Sequence, residues 1–138
     1  MNSLSLSSVK VLVVEDDPDN RIVITRLLIM AGVEAQSIAA IEGDARDFLD
    51  RTGQEFDLVF LDLQLPKKDG YAVLSDLRAD PRRAAVRVFA LTANVARREI
   101  ERCRGAGFDG FIGKPIDGRR FSELLRRILE GESVWMED

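Results

Sequence analysis

Short, wholly apolar runs alternate along this chain with longer segments whose apolar residues recur at helical spacing, and that alternation leaves few folds open. It is the signature of repeated strand-helix-strand units around a parallel sheet. The run Leu58-Val59-Phe60-Leu61 carries no polar alternation at all, as expected of a central strand covered by helices on both faces. Five strand-helix pairs can be read, giving an α/β, doubly wound, five-stranded parallel sheet.

Strand one covers 10–14. Asp17 then offers an N-cap, with Pro18 at the first helical position. Val23, Leu27 and Met30 are expected on the inner face of that helix, which Gly32 stops. Strand two is read at about 34–38, the most polar of the runs and hence an edge strand. Its helix follows with Ala45, Phe48 and Leu49 facing inward. Pro66-Lys67-Lys68-Asp69-Gly70 is turn chemistry, and Val73, Leu74 and Leu77 carry a third helix until Asp80-Pro81 ends it. The fourth strand is 86–91. Helix four, 96–106, bears Arg97, Arg98, Arg102 and Arg104 with few apolar anchors, so it is expected to be the least firmly docked. Phe111 and Ile112 centre the fifth strand. Phe121, Leu124, Leu125, Ile128 and Leu129 fall at i, i+3, i+4, i+7 and i+8, the clearest helical face in the chain. Residues 131–138 read as a short tail.

Four of the strands end on polar residues that can handle a phosphoryl group. Glu15 and Asp16 follow the first strand, Asp62 the third, Thr92 the fourth and Lys114 the fifth. Open α/β sheets bind ligands beyond the carboxyl ends of their strands, so all of these side chains are expected to meet there. A carboxylate is a weak nucleophile in water, yet it forms an acyl phosphate when the phosphoryl charge is neutralised and held in line. Glu15, Asp16 and Asp62 suit a divalent cation such as Mg²⁺, which takes oxygen ligands from one or two carboxylates and from phosphate. Crowded carboxylates repel one another without a cation, so metal and phosphate should bind together. Lys114 adds a point charge and Thr92 a hydroxyl donor. Each residue alone has a plainer role, as a cap, a turn former or a strand terminator; their conjunction at four strand ends is what points to a site.

Composition narrows the chemistry. The 138 residues and 15.4 kDa fit one domain, of a size that needs neither disulfide nor structural metal to fold. The lone Cys103 cannot form an intramolecular bridge and is read as packing. Histidine is absent, which excludes a phosphohistidine donor, a histidine base and histidine metal ligands within the chain. Residues 1–65 hold 5 basic and 12 acidic groups, residues 66–138 hold 15 and 12, and the acidic half suits a cation. The first eight residues lack the features of a secretory signal, and no run approaches the roughly 18 apolar residues that span a bilayer. A cytoplasmic location without a membrane partner is expected. A net charge of −4 and the lack of a reading element disfavour nucleic acid.

Taken together, Val11-Leu12-Val13-Val14-Glu15-Asp16, Leu61-Asp62-Leu63-Gln64-Leu65-Pro66 with Asp69-Gly70, Leu91-Thr92-Ala93, and Gly110-Phe111-Ile112-Gly113-Lys114-Pro115 resemble the receiver domain of two-component response regulators, the chemotaxis-regulator-like family. The resemblance spans about 10–130. It implies a flavodoxin-like receiver fold with strand order 2-1-3-4-5 and a single receiver domain over 1–138 without an output domain. It makes Asp62 the phosphoacceptor, served by a histidine kinase or histidine phosphotransfer protein. Asp16 becomes the principal Mg²⁺ ligand, supported by Glu15, with Asp62 and the main-chain carbonyl of Gln64 completing the protein ligands. Lys114 and Thr92 hold the phosphoryl group, and the Lys114-Pro115 bond is expected to be cis. Phe111 matches the switch aromatic that turns inward as Thr92 moves; it lacks the hydroxyl of the tyrosine common at that position. Gln64 and Asn94 flank the site, Lys68 adds a cation beside it, and Gly113 leaves room before Lys114. The family signals through the face made by its fourth helix, fifth strand and fifth helix, here 96–130, toward a downstream protein target. A phosphoacceptor signalling protein that catalyses only its own phosphorylation and dephosphorylation follows. A phosphorylation-independent adaptor of the same fold stays open as the alternative. Haloacid-dehalogenase-type hydrolysis would need a second acid two residues after Asp62, where Gln64 stands.

Overall fold

The computed structural model describes residues 5–66 and 68–135. Its elements run β1 Val11–Val14, α1 Pro18–Ala31, a 3-10 turn at Ala35–Ser37, β2 Ile38–Ile41, α2 Ala45–Thr52, β3 Leu58–Asp62, α3 Gly70–Ala79, β4 Arg87–Thr92, α4 Arg97–Ala106, β5 Gly110–Gly113, α5 Gly118–Leu129 and β6 Val134–Trp135. All pairings are parallel and the order is β2-β1-β3-β4-β5-β6. The order reverses direction between β1 and β3, which opens a crevice at their carboxyl ends.

The expected α/β class and the 2-1-3-4-5 order hold, with a sixth strand added at the β5 edge. Val134 buries its side chain there and the backbone pairs Gly110 with Val134 and Phe111 with Trp135, so part of the expected tail is sheet. Two residues are too short for a period-2 pattern, and the sequence carries no signal for them.

The side chains of the inner strands sort into two cores, one on each face. Val11, Val13, Phe60, Phe89 and Ile112 face α1 and α5. Leu12, Val14, Val59, Leu61, Ala90 and Phe111 face α2, α3 and α4. This alternate burial of a continuous apolar run is what a doubly covered parallel strand requires.

Two expectations are corrected. The second strand is Ile38–Ile41 rather than 34–38, because Ile38 to Ile41 pair residue by residue with Val11 to Val14 and Ala35–Ser37 forms the turn that leads in. It is an edge strand and partly exposed, as anticipated. On α1 the buried positions are Ile24 and Leu28, while Val23 and Met30 point outward at 48% and 80% exposure. Ile22, Val23, Ile24, Leu27, Leu28, Ile29 and Met30 are all apolar, so spacing alone could not fix which stripe faces the sheet. The caps are as read: Asp17 accepts from the Asp19 N–H, Pro18 opens the helix, and Gly32 closes it at φ 119. On α4 only Ile100 and Cys103 are buried, in keeping with its few anchors. No helix among the described residues is long and apolar enough to cross a membrane.

Candidate functional site

β1, β3, β4 and β5 deliver their final residues to one edge. Glu15 and Thr92 are 0% and 1% exposed and Asp62 is 3% exposed, and these are the three buried polar residues among those described. Burying a carboxylate is costly unless it is paired, and here Lys114 supplies the pair. Its Nζ donates to Glu15 Oε1 at 2.6 Å and to Asp62 Oδ2 at 3.2 Å. The second oxygen of Asp62 accepts from the Gln64 N–H at 2.9 Å, so the Gln64 peptide lies against the carboxylate.

Electrostatics follow from that packing. Burial pushes the Glu15 carboxyl above its usual range, and the neighbouring Asp62 adds to the rise, with Lys114 opposing it. Burial alone would lower the Lys114 ammonium, but its acceptors Glu15 and Asp62 outweigh it and hold the group above its ordinary value. Lys114 therefore stays charged.

Asp16 is half-buried. Glu15, Asp16 and Asp62 each offer a carboxylate oxygen, and these lie within 4.8 Å of one another. Hard oxygen donors at that spacing fit a small divalent cation. Thr92 is held by its strand: its carbonyl accepts from the Lys114 N–H at 2.8 Å, and its Oγ1 accepts from the Asn94 N–H at 3.1 Å. The Lys114-Pro115 peptide is cis, as the resemblance implied. Phe111 is wholly buried.

Several neighbours escaped the sequence reading. Arg21 Nη1 donates to the carbonyls of Glu15 and Asp16 at 2.8 and 3.1 Å, fixing the backbone that carries both acids; its only signal was a cation one turn into a helix that starts at the site. Gly70 packs so closely that a Cβ would sit 2.8 Å from the Asp62 carbonyl oxygen, which lets α3, capped by Asp69, abut the end of β3. A Cβ on Gly113 would lie 2.7 Å from Val95 Cγ1; the glycine thus admits the β4–α4 loop. Lys68 turns from the site to an ion pair with Asp76 on α3. The side chains of Gln64 and Asn94 are exposed at the rim, and Asn94 Nδ2 reaches Glu99 Oε1 at 3.4 Å.

The family model of the response regulator receiver domain matches residues 11–126, nearly the whole sheet and every site residue named above. The chain belongs to that family. This receiver domain is 34% identical over 122 residues to the osmosensing histidine protein kinase SLN1 of Saccharomyces cerevisiae, covering 86% of the chain and 10% of that protein. It is 31% identical over 121 residues to the hybrid signal transduction histidine kinase L of Dictyostelium discoideum, covering 86% and 7%. The chain thus spans a small part of the length of these curated relatives. Among solved structures it is similar to the receiver domain of the sensor histidine kinase PA1611 of Pseudomonas aeruginosa, at 27% identity and a TM-score of 0.75 over 90% of this chain and 99% of that one. That structure holds a magnesium ion coordinated in its active site cleft. Receiver domains are phosphoacceptor modules of two-component signalling, and this one keeps an acidic cluster able to hold a metal.

Proposed function

We propose that this receiver domain accepts a phosphoryl group on Asp62 from a phosphohistidine of a separate donor protein, with Mg²⁺, and that the modified domain presents an altered protein-binding surface over 96–130. The observation that carries the reading is the Lys114 ammonium seated between buried Glu15 and Asp62, with Asp16 beside them. A carboxylate of Asp62 attacks phosphorus, the P–N bond to the donor imidazole breaks, and its electron pair returns to the ring nitrogen. Lys114 then exchanges a carboxylate partner for a phosphoryl oxygen, and the Thr92 hydroxyl donates to another. Asp16 and Asp62, supported by Glu15 and the Gln64 carbonyl, are the residues for Mg²⁺. The bound ion would neutralise charge developing on the transferred group. Gln64 and Asn94, at the rim, are placed to tune access of water to the acyl phosphate.

Where the donor docks is suggested by surface composition. Among the described residues the exposed large apolar side chains are Ile22, Val23, Ile29 and Met30 on α1, and Val95 on the β4–α4 loop. Helix α1 starts three residues after Glu15, so its apolar outer face is continuous with the site. The four on α1 flank the exposed Arg26 on one face of the helix; an exposed apolar patch of this kind marks a protein-binding surface, and a donor helix laid along it would bring a histidine toward Asp62.

The test is phosphoryl transfer in Mg²⁺, first from acetyl phosphate and then from a phosphorylated donor. Acid-labile labelling is expected in the wild type and absent in Asp62→Asn; labelling that persists in that variant would overturn the assignment. Mg²⁺ at about 100 times its dissociation constant should stabilise the fold by about 2.7 kcal/mol, and Asp16→Ala should abolish that rise in melting temperature. Lys114→Ala should still accept phosphate but lose most of the change in partner binding. Partner binding unaltered in Asp62→Asn would instead favour the phosphorylation-independent adaptor.

A further inference from the structure

The strand β6 sits where it can register events at Asp62. It covers the outer edge of β5, with Phe111 beside Trp135 in register, and side chains in register on parallel strands share a face. Two supports hold the Trp135 ring on the α4 side of the sheet. One is its neighbour Phe111, and the other is Arg104 of α4, whose guanidinium lies 4.6 Å from the ring centre. The approach from α5 is a turn at Gly131, φ 96, where Glu132 Oε1 accepts from Arg127 at 3.1 Å and the Glu132 carbonyl accepts from Arg87 at 2.5 Å.

Both supports lead back to the site. Phe111 lies three residues before Lys114, on a strand whose end is tied to β4 by the Lys114 N–H on the Thr92 carbonyl. Helix α4 is reached through Thr92 Oγ1, which accepts from the Asn94 N–H, then through Asn94 Nδ2 to Glu99 Oε1 at 3.4 Å. Glu99 in turn accepts from the Tyr71 hydroxyl of α3. A phosphoryl group adds about two negative charges and three acceptor oxygens, all within the reach of Lys114 and Thr92. Drawing those two side chains inward shifts the ends of β4 and β5 and the loop that starts α4, and so moves both supports of Trp135 at once. A two-residue strand with one buried side chain is the kind of segment that opens locally.

We propose that β6 is a releasable cover over the β5 edge, seated when Asp62 is free and detached when Asp62 is phosphorylated. The inference rests on the phosphoacceptor reading and adds to it the place where the binding surface changes. Detachment frees the backbone groups of Gly110 and Phe111 at the sheet edge, in the middle of the 96–130 face.

Trp135 is the sole tryptophan in the sequence, so the chain carries its own reporter. Acrylamide quenching of its fluorescence and amide exchange of 131–135 are measured with Mg²⁺ alone and with Mg²⁺ plus beryllofluoride, while acetyl phosphate labelling of Asp62 is followed by mass. Quenching should rise, and exchange in 131–135 should quicken by about tenfold, equivalent to about 1.4 kcal/mol in the opening equilibrium. Asp62→Asn should show neither change. Labelling of Asp62 with Trp135 still protected would overturn the cover and leave the phosphoacceptor reading intact, whereas failure to label would overturn both. Arg104→Ala, an exposed position on α4, should raise quenching without any phosphoryl mimic; protection equal to wild type in that variant would remove Arg104 as a support and defeat the proposed release.

Discussion

Helices α1 and α5 lie side by side on the same face of the sheet and feed one core, yet they are built on opposite plans. In α5 the apolar residues are the buried ones: Phe121, Leu124, Leu125, Ile128 and Leu129 face inward, and the outer surface is arginine and glutamate. In α1 only Ile24 and Leu28 are buried, although Ile22 to Ile24 and Leu27 to Met30 are all apolar and only Thr25 and Arg26 separate them. A helix exposed on one side gains nothing for the fold from apolar residues there. The difference teaches that burial in the core accounts for the apolar residues of α5 but not for Ile22, Val23, Ile29 and Met30 of α1, the residues proposed above to meet the phosphoryl donor.

The comparison can be broken most directly by truncation. Leu125→Ala removes a fully buried side chain and should cost about 2 to 5 kcal/mol in urea unfolding. Ile29→Ala, on the outer face of α1, should stay within about 0.5 kcal/mol of wild type. Similar losses for the two would mean that the α1 surface is part of the core after all. The next largest effect concerns binding. Replacing Ile22 and Met30 together by serine should lower the rate of phosphotransfer from a protein donor about tenfold, roughly 1.4 kcal/mol, with labelling by acetyl phosphate unchanged. Equal loss with both donors would place the damage in the site and not in docking.

The two helices also show what a sequence can and cannot reveal. The α5 face was legible because polar residues mark its boundary on both sides. The α1 face was misread by one position because no polar residue interrupts the stripe between Ile22 and Ile24 or between Leu27 and Met30. The site was legible for a different reason: parallel strands carry their final residues to one edge, so Glu15, Asp16, Asp62, Thr92 and Lys114 could be brought together before any contact was known. The grip of Arg21 on the Glu15 and Asp16 carbonyls was hidden, since main-chain acceptors leave no trace in sequence. The same holds for β6, whose pairing depends on a turn geometry at Gly131 that two strand residues cannot announce.

A smaller effect should separate faces from ends. Both helices are capped alike: Asp17 accepts from the Asp19 N–H at 2.9 Å and Asp117 from the Arg119 N–H at 2.9 Å. Asp17→Ala and Asp117→Ala should therefore each cost about 1 kcal/mol. Matching losses in thermal or urea unfolding would locate the contrast in the helix faces. A much larger loss for Asp17 would tie α1 stability to the adjoining acidic cluster.

The smallest effect tests the outer face of α5, the counterpart of the α1 stripe. Arg126 donates to Glu130 Oε1 at 2.8 Å and pairs with Glu123 on the other side, and all three side chains are at least half exposed. Their mutual pull holds the Glu123 carboxyl below and the Arg126 guanidinium above their ordinary ranges, but exposed pairs are screened by salt and lose side-chain freedom when they form. Arg126→Ala should leave the unfolding midpoint at physiological ionic strength indistinguishable from wild type, and phosphotransfer from a protein donor unchanged. A resolvable fall in stability would make the charged network part of what holds α5 to the sheet. A fall in transfer would extend donor docking beyond α1. Silence in both assays would confine donor docking to α1 and leave the outer face of α5 to the downstream surface proposed over 96–130.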